Sequence, residues 1–344
     1  MVVITGGSSG IGRCTAVLFA RRGWHVGLIA RGEAGLRAVA ADVVTEAAAS
    51  GVPVATEVAD VTDPGALEAA ADRLEAALGP ADVWVNCAGN GTFGRFLDIP
   101  ADEFRHVVDV TFLGTVNGTR AALRRMTARN AGHIVNVCSG VAFHGMPLLS
   151  SYSGAKHAIR GFDQAIRAEL AEDGSRVRLS TVFPPAVNTP FFDRAPSYMG
   201  RPGRPIPPVY QPEVVAEAVH LAATGRRGRE MAVSFTSVLF ALATRLVPGL
   251  ARRAVHRLGY ASQLATDPEA VRRHAPTLVT ASKAAFPAHG AYDAVARRRS
   301  FQVGLMGWAA TWRARLGAFR QRVRTSGDRG RRKPKAEPRA ALRG

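Results

Sequence analysis

Lysine is almost missing from this chain. Of 45 basic residues in 344, only Lys156, Lys283, Lys333 and Lys335 are lysine. Where arginine is the default cation, an isolated lysine inside the chain suggests a specific demand for a compact ammonium. Cysteine is scarce too: Cys14, Cys87 and Cys138 stand alone, with no CxxC pair. That argues against a disulfide framework and fits a reducing compartment such as the cytoplasm. The nine histidines show neither HxxH nor HExxH spacing, so no metal site is expected. No GxSxG elbow occurs, which removes the serine-hydrolase reading. The longest apolar stretch, near Met231 to Ala243, is shorter than the roughly 20 residues of a spanning helix, and Arg245 follows it. Met1 runs straight into Val2-Val3-Ile4, without the basic segment and apolar core of a signal peptide.

Acidic residues thin out toward the end. From Arg313 to Gly344 there are twelve basic residues against Asp328 and Glu337, so most of the formal charge of +18 lies in this tail. Such a segment reads as solvated and disordered, or as a contact for an anionic surface.

The rest of the chain alternates β-branched runs with longer Ala-rich segments. Strands are expected at Val2–Thr5, His25–Ile29, Val52–Glu57, Val83–Asn86, His133–Cys138, Val177–Phe183 and Glu230–Ser234. Helices are expected at Ile11–Arg22, Glu33–Ser50, Ala66–Leu78, Ala101–Arg129, Ser151–Glu172 and Gln211–Ala223. Alternation of this kind predicts an α/β fold, a doubly wound parallel sheet of Rossmann type, over residues 1–235. A Pro-rich stretch from Pro184 to Pro212 carries Phe191, Phe192 and Met199 and reads as a lid. A helical extension is expected over 236–324, with helices at Phe235–Leu246, Gly249–Leu258 and Ser300–Arg324, then a basic tail over 325–344.

The first strand leads into Thr5-Gly6-Gly7-Ser8-Ser9-Gly10-Ile11-Gly12 and then a helix. Glycines there permit a tight turn and let the backbone approach a pyrophosphate, while the helix N-terminus offers free N–H groups. The second strand ends in Ala30-Arg31, where an acid would hold the ribose of NAD. An arginine at that place suits the 2′-phosphate of NADP. Downstream, Tyr152 and Lys156 are four residues apart, which puts both on one helix face. A phenol with an ammonium beside it makes a candidate general acid/base, because the cation favours the phenolate.

These segments together resemble the short-chain dehydrogenase/reductase family over residues 1–235. The resemblance implies that Ser139, at the end of the fifth strand, polarises a substrate oxygen, and that Tyr152 and Lys156 complete the catalytic set. Thr111 replaces the family's Asn, whose carbonyl supports a water-mediated proton path. The resemblance further implies cofactor contacts from Asp60 and Val61, from Asn86, Ala88 and Gly89, and from Val187 and Thr189. Cys87 replaces the second Asn of the family's NNAG, and Pro185 replaces a Gly after the sixth strand. His144 is read as structural, and Arg13 as a surface residue.

The expectation is an NADPH-dependent oxidoreductase interconverting a carbonyl and an alcohol, working as a homo-oligomer without nucleic acid. Val141, Phe143, Met146, Pro147, Leu148 and Leu149, with the lid, favour an apolar substrate. Arginine and tryptophan on the final helix suit packing over the substrate mouth or on another subunit, and equally a peripheral membrane contact. The competing reading from another class is a regulator or scaffold that binds NADPH through the same fold and holds a partner with its basic tail.

Overall fold

The computed structural model describes residues 1–46, 48–225, 228–309 and residue 312. Residues 1–303 form one compact unit and residues 304–344 another. Among the described residues, seven strands build one parallel sheet: β1 (Val2–Thr5), β2 (Val26–Ala30), β3 (Val54–Val58), β4 (Val83–Asn86), β5 (His133–Val137), β6 (Arg178–Phe183) and a last strand at Glu230–Ala232. Its order is β3-β2-β1-β4-β5-β6 and then Glu230–Ala232. The order reverses direction between β1 and β4, and a doubly wound sheet opens a crevice beyond its strand ends at such a point.

Helices cover both faces. They are α1 (Gly10–Arg21), α2 (Glu33–Glu46), α3 (Pro64–Leu78), α4 (Ala101–Val108), α5 (Gly114–Arg129) and α6 (Ser150–Glu172). After β6 come β7 (Ala186–Val187), α7 (Phe191–Arg194), β8 (Val209–Tyr210), α8 (Pro212–Ala223) and β9 (Glu230–Ala232). The extension adds α9 (Phe235–Leu246), α10 (Pro248–Leu258) and α11 (Pro268–Arg273). The strands β1, β2, β4 and β5 are buried throughout, as their near-continuous apolar runs require when both sheet faces are covered. On one face Leu67, Leu74, Trp84, Met126, Ile134 and Leu179 close into a single core cluster.

Three features stand beside the sequence expectation. The helix expected over Ala101–Arg129 holds its course but widens into a π-helical turn at Asp109–Leu113, centred on Thr111. Such turns carry one extra residue and concentrate at functional positions. The lid is tied down by the short parallel pair β7–β8, Ala186 against Val209 and Val187 against Tyr210. The helix expected at Ser300–Arg324 is helical over 301–309, and most of its remainder, with the basic tail, lies outside the described residues.

A polar chain runs through the core below the crevice. Asn86 Nδ2 donates to Asn136 Oδ1 (2.8 Å), and Asn136 Nδ2 donates to Asp163 Oδ1 (2.6 Å). Thr181 Oγ1 donates to Asp163 Oδ2 (2.6 Å) and accepts from Arg167 (2.9 Å). Burial pushes the Asp163 carboxyl up to about 6 even so. Each member has a partner, which is the condition for a buried polar network to be tolerated.

Candidate active site

The crevice is a cavity of about 670 Å³ beyond the strand ends. One end is made by the glycine turn. Gly6 has φ +68, and a Cβ there would stand 2.6 Å from the Ala88 backbone nitrogen. A Cβ on Gly12 would collide with the Gly6 carbonyl oxygen. Both positions are closed to any side chain, so the loop stays low and leaves a cradle in front of α1. Gly6, Ser8, Ser9, Gly10, Ile11 and Gly12 line that end, with Val61, Ala88 and Gly89 beside them and Val187 and Thr189 further in.

Four expected site residues lie off the cavity wall, and each has a visible reason. Asn86 is turned into the core, where its Oδ1 accepts from Trp84 Nε1 (2.9 Å) and its amide feeds the polar chain. Thr5 is buried, and its hydroxyl accepts from the Cys87 N–H at 3.3 Å, joining β1 to the β4 end. Asp60 folds back on its own turn, accepting from the Thr62 backbone and hydroxyl at 2.9 Å each. Thr111 clamps the strand-end loop: its hydroxyl donates to the Asn90 carbonyl (3.1 Å) and accepts from the Asn90 N–H (3.2 Å). The Thr111 carbonyl, the atom expected to support a proton path, accepts the Thr115 hydroxyl at 2.9 Å.

At the other end of the cavity the three chemical residues converge. Ser139 follows β5 and caps the short turn Gly140–Ala142, its hydroxyl accepting from the Val141 N–H at 3.4 Å; its side chain also acts on the Tyr152 phenol, favouring the phenolate. Tyr152 and Lys156 follow one another on one face of α6, with the ammonium 5.6 Å from the phenol ring centroid. Lys156 is buried, and its Nζ donates to the Val137 carbonyl at 2.8 Å. Burial pushes the Tyr152 phenol up and the Lys156 ammonium down. For the phenol desolvation is the largest cause, with Ser139 acting against it. The protein alone therefore presents Tyr152 as a neutral O–H, a proton donor.

The apolar wall is a selection of the residues expected. Val141, Met146, Leu149, Phe191 and Phe192 line the cavity. Phe143 packs instead on Phe183 (4.6 Å between ring centroids), and Leu148 is buried behind the wall. Phe191 of the lid leans on Tyr152 at 5.4 Å. His144 is off the wall, its Nδ1 against the Gly145 carbonyl.

The extension supplies residues that the sequence did not announce. Residues 277–287 run as a strap across the nucleotide end. Arg31 donates to the carbonyls of Val279 (2.9 Å) and Leu278 (3.3 Å) on that strap and lies 3.6 Å from Asp60. The Gly10 N–H points to the Pro287 carbonyl at 3.3 Å. Arg13, read as a surface residue, donates to Phe286 O (2.8 Å) and to Asp42 (2.6 Å), so it fastens the strap. Arg194 on α7 faces the cavity from the lid, with Nε on Thr277 Oγ1 (3.2 Å) and its guanidinium 4.2 Å from the Phe286 ring centroid. Among the described residues Arg194 has no carboxylate partner, and burial followed by the charge of Arg31 holds its pKa down. On the inner wall α9 contributes Ser237 and Phe240.

Residues 1–198 match the family model described as short chain dehydrogenase. An uncharacterized oxidoreductase of Bacillus subtilis, YxnA, is 33% identical over 270 residues, 78% of this chain and 74% of the relative. The 3-dehydrosphinganine reductase of Danio rerio is 34% identical over 192 residues, 56% of this chain and 57% of the relative. Among solved structures, an alcohol dehydrogenase from Thermococcus sibiricus complexed with 5-hydroxy-NADP superposes with a TM-score of 0.57 at 28% identity, covering 67% of this chain and 94% of that one. A short chain dehydrogenase from Mycobacterium paratuberculosis bound to NAD gives 0.58 at 25% identity, covering 67% and 95%. With a doubly wound sheet, a glycine cradle and a Ser-Tyr-Lys set in one crevice, the chain belongs to the short chain dehydrogenase family of oxidoreductases.

Proposed function

We propose that the protein reduces an apolar ketone or aldehyde with NADPH. The observation that carries this reading is one continuous cavity: it starts at the glycine cradle and ends on Ser139, Tyr152 and Lys156, beneath Phe191 and Phe192. NADPH supplies the hydride. Gly6 and Gly12 leave room for its pyrophosphate, the α1 N-terminus offers N–H groups, and Arg31 takes the 2′-phosphate that no acid at Ala30 opposes. Arg194 lines the same cavity, within electrostatic reach of Arg31, and would meet the pyrophosphate. Arg31 and Arg194 are the residues that would hold the negative charge of the nucleotide there.

Ser139 holds the carbonyl oxygen by a hydrogen bond as negative charge grows there. Tyr152 donates its hydroxyl proton to that oxygen, giving the alcohol. Lys156 then stabilises the phenolate, drawing its ammonium from Val137 toward the phenol. The lining of Val141, Met146, Leu149, Phe191 and Phe192 selects an apolar body around a single polar end. The name of the Danio rerio relative points the same way, since 3-dehydrosphinganine is a long-chain ketone.

A screen of carbonyl substrates, following loss of NADPH absorbance, tests the reading. Long-chain and aromatic ketones should react and free sugars should not. Turnover confined to sugars or polyols would overturn the apolar assignment, and equal kinetics with NADH would overturn the cofactor assignment. The regulator reading predicts nucleotide binding without turnover of any carbonyl.

A further inference from the structure

Helix α9 has two unlike faces. Toward the cavity it sets Ser237 and Phe240. Away from it, Phe235, Leu239, Leu242 and Leu246 fall at i, i+4, i+7 and i+11, one stripe along the helix. Those four side chains are 61%, 56%, 48% and 72% exposed. The stripe runs into Val247 and Leu250 at the turn before α10, 46% and 63% exposed, so the hairpin ends in an apolar tip. Isolated exposed leucines need no explanation, but a contiguous apolar stripe with a cationic rim does. The rim is Arg245, Arg252, Arg253 and Arg257, all exposed, and residues 235–258 contain no aspartate or glutamate.

We propose that the α9–α10 hairpin docks the protein on an anionic lipid surface. The stripe and tip enter the boundary between headgroups and acyl chains, and the arginines meet lipid phosphates. The charge pattern selects this occupant over a second copy of the chain. A two-fold contact would set one hairpin against the same patch of its partner, bringing like-charged arginines together in an apolar seam. No helix among the described residues is long and apolar enough to cross a membrane, so the contact is interfacial. The inner face of the docked helix is a wall of the cavity, so docking places the cavity beside the lipid, where an apolar substrate dissolves. The docking itself does not depend on the redox reading.

The test uses the full chain with Leu242→Cys carrying an environment-sensitive dye. Cys14 and Cys138 are buried, and burial pushes the Cys87 thiol up to about 12, so the new thiol reacts selectively. With phosphatidylglycerol vesicles the dye emission should shift to the blue, and with pure phosphatidylcholine it should shift much less. At about 0.5 M salt, where charges are screened within a few Å, the shift with phosphatidylglycerol should shrink toward that with phosphatidylcholine. Vesicle binding with unchanged emission would assign the contact to the basic tail and overturn the proposal. A shift that follows protein concentration without lipid would assign the face to a second copy and also overturn it. Leu239→Asp with Leu246→Asp, with circular dichroism and melting temperature kept, should weaken vesicle partition by at least ~10-fold, as two apolar anchors are lost. Unchanged partition would refute the stripe as the anchor.

Discussion

Replacing Arg194 with glutamine removes a cation that has no carboxylate partner among the described residues and whose named electrostatic neighbour is Arg31. Nothing in the nucleotide-free protein depends on that charge for an ion pair, and its loss relieves repulsion with Arg31. The same change ends the contacts to Thr277 and the Phe286 ring, so fold stability should change little in either direction. Nucleotide affinity should fall, because a hydrogen bond to a charged group is worth about 1.5–3 kcal/mol, or about 10- to 150-fold in Kd. The pyrophosphate is common to both nicotinamide dinucleotides, so Arg194→Gln should weaken NADPH and NADH by the same factor. Arg31→Gln makes the contrast: it should weaken NADPH by a similar factor and leave NADH nearly unchanged. Isothermal titration of both variants with both nucleotides reads the four changes without any substrate. Unchanged NADH affinity in Arg194→Gln would refute the pyrophosphate assignment. A loss confined to NADPH in both variants would place both arginines on the 2′-phosphate.

Tyr152→Phe should cut kcat by at least ~100-fold, the span of general acid catalysis, with NADPH affinity within about 2-fold of the parent by titration. Retention of a tenth of the activity would require another acid. His133 lies on β5 with Nε2 2.8 Å from Ser180 Oγ, and burial pushes its pKa down to about 4. The folded chain keeps this imidazole neutral while the unfolded chain protonates it near 6.5, so stability is lost as pH falls from 6.5 toward 4. Over that window His133 should account for at most about 3 kcal/mol, seen as a flatter urea-stability profile in His133→Gln. Cys87 and Cys138 are both pushed up to about 12 by burial, so the native protein should take up almost no iodoacetamide at pH 8 until it is unfolded. Rapid labelling of the folded chain would contradict that burial.

Local signals carried the sheet because they are local. Val26–Ala30 and Val83–Asn86 are apolar, β-branched runs, and a buried parallel strand needs nothing else. The Ser139, Tyr152 and Lys156 set was legible for the same reason: each holds its place relative to one strand end or one helix face. The π turn at Thr111 was not, since an added residue leaves the amphipathic pattern of a long helix almost unchanged. Asn86 shows the opposite failure. Its motif is recognisable, but only the packing of Trp84 and Asn136 around it tells that the side chain faces inward. The strap was hidden because residues 277–287 lack either period, and its bonds to Arg13 and Arg31 span some 250–270 positions.

That strap gives the nucleotide groove an order of assembly. Its floor comes from residues 5–12 and its roof from residues 277–287, so during synthesis the catalytic serine, tyrosine and lysine emerge long before the groove can close. Contacts of such sequence separation form late in folding. A chain interrupted anywhere between Ala223 and Pro276 would carry the whole catalytic set above an open trough. The finished protein differs from that fragment by a fastening made from Arg13, Arg31 and Arg194, three side chains that join the beginning, middle and end of the polypeptide at one place.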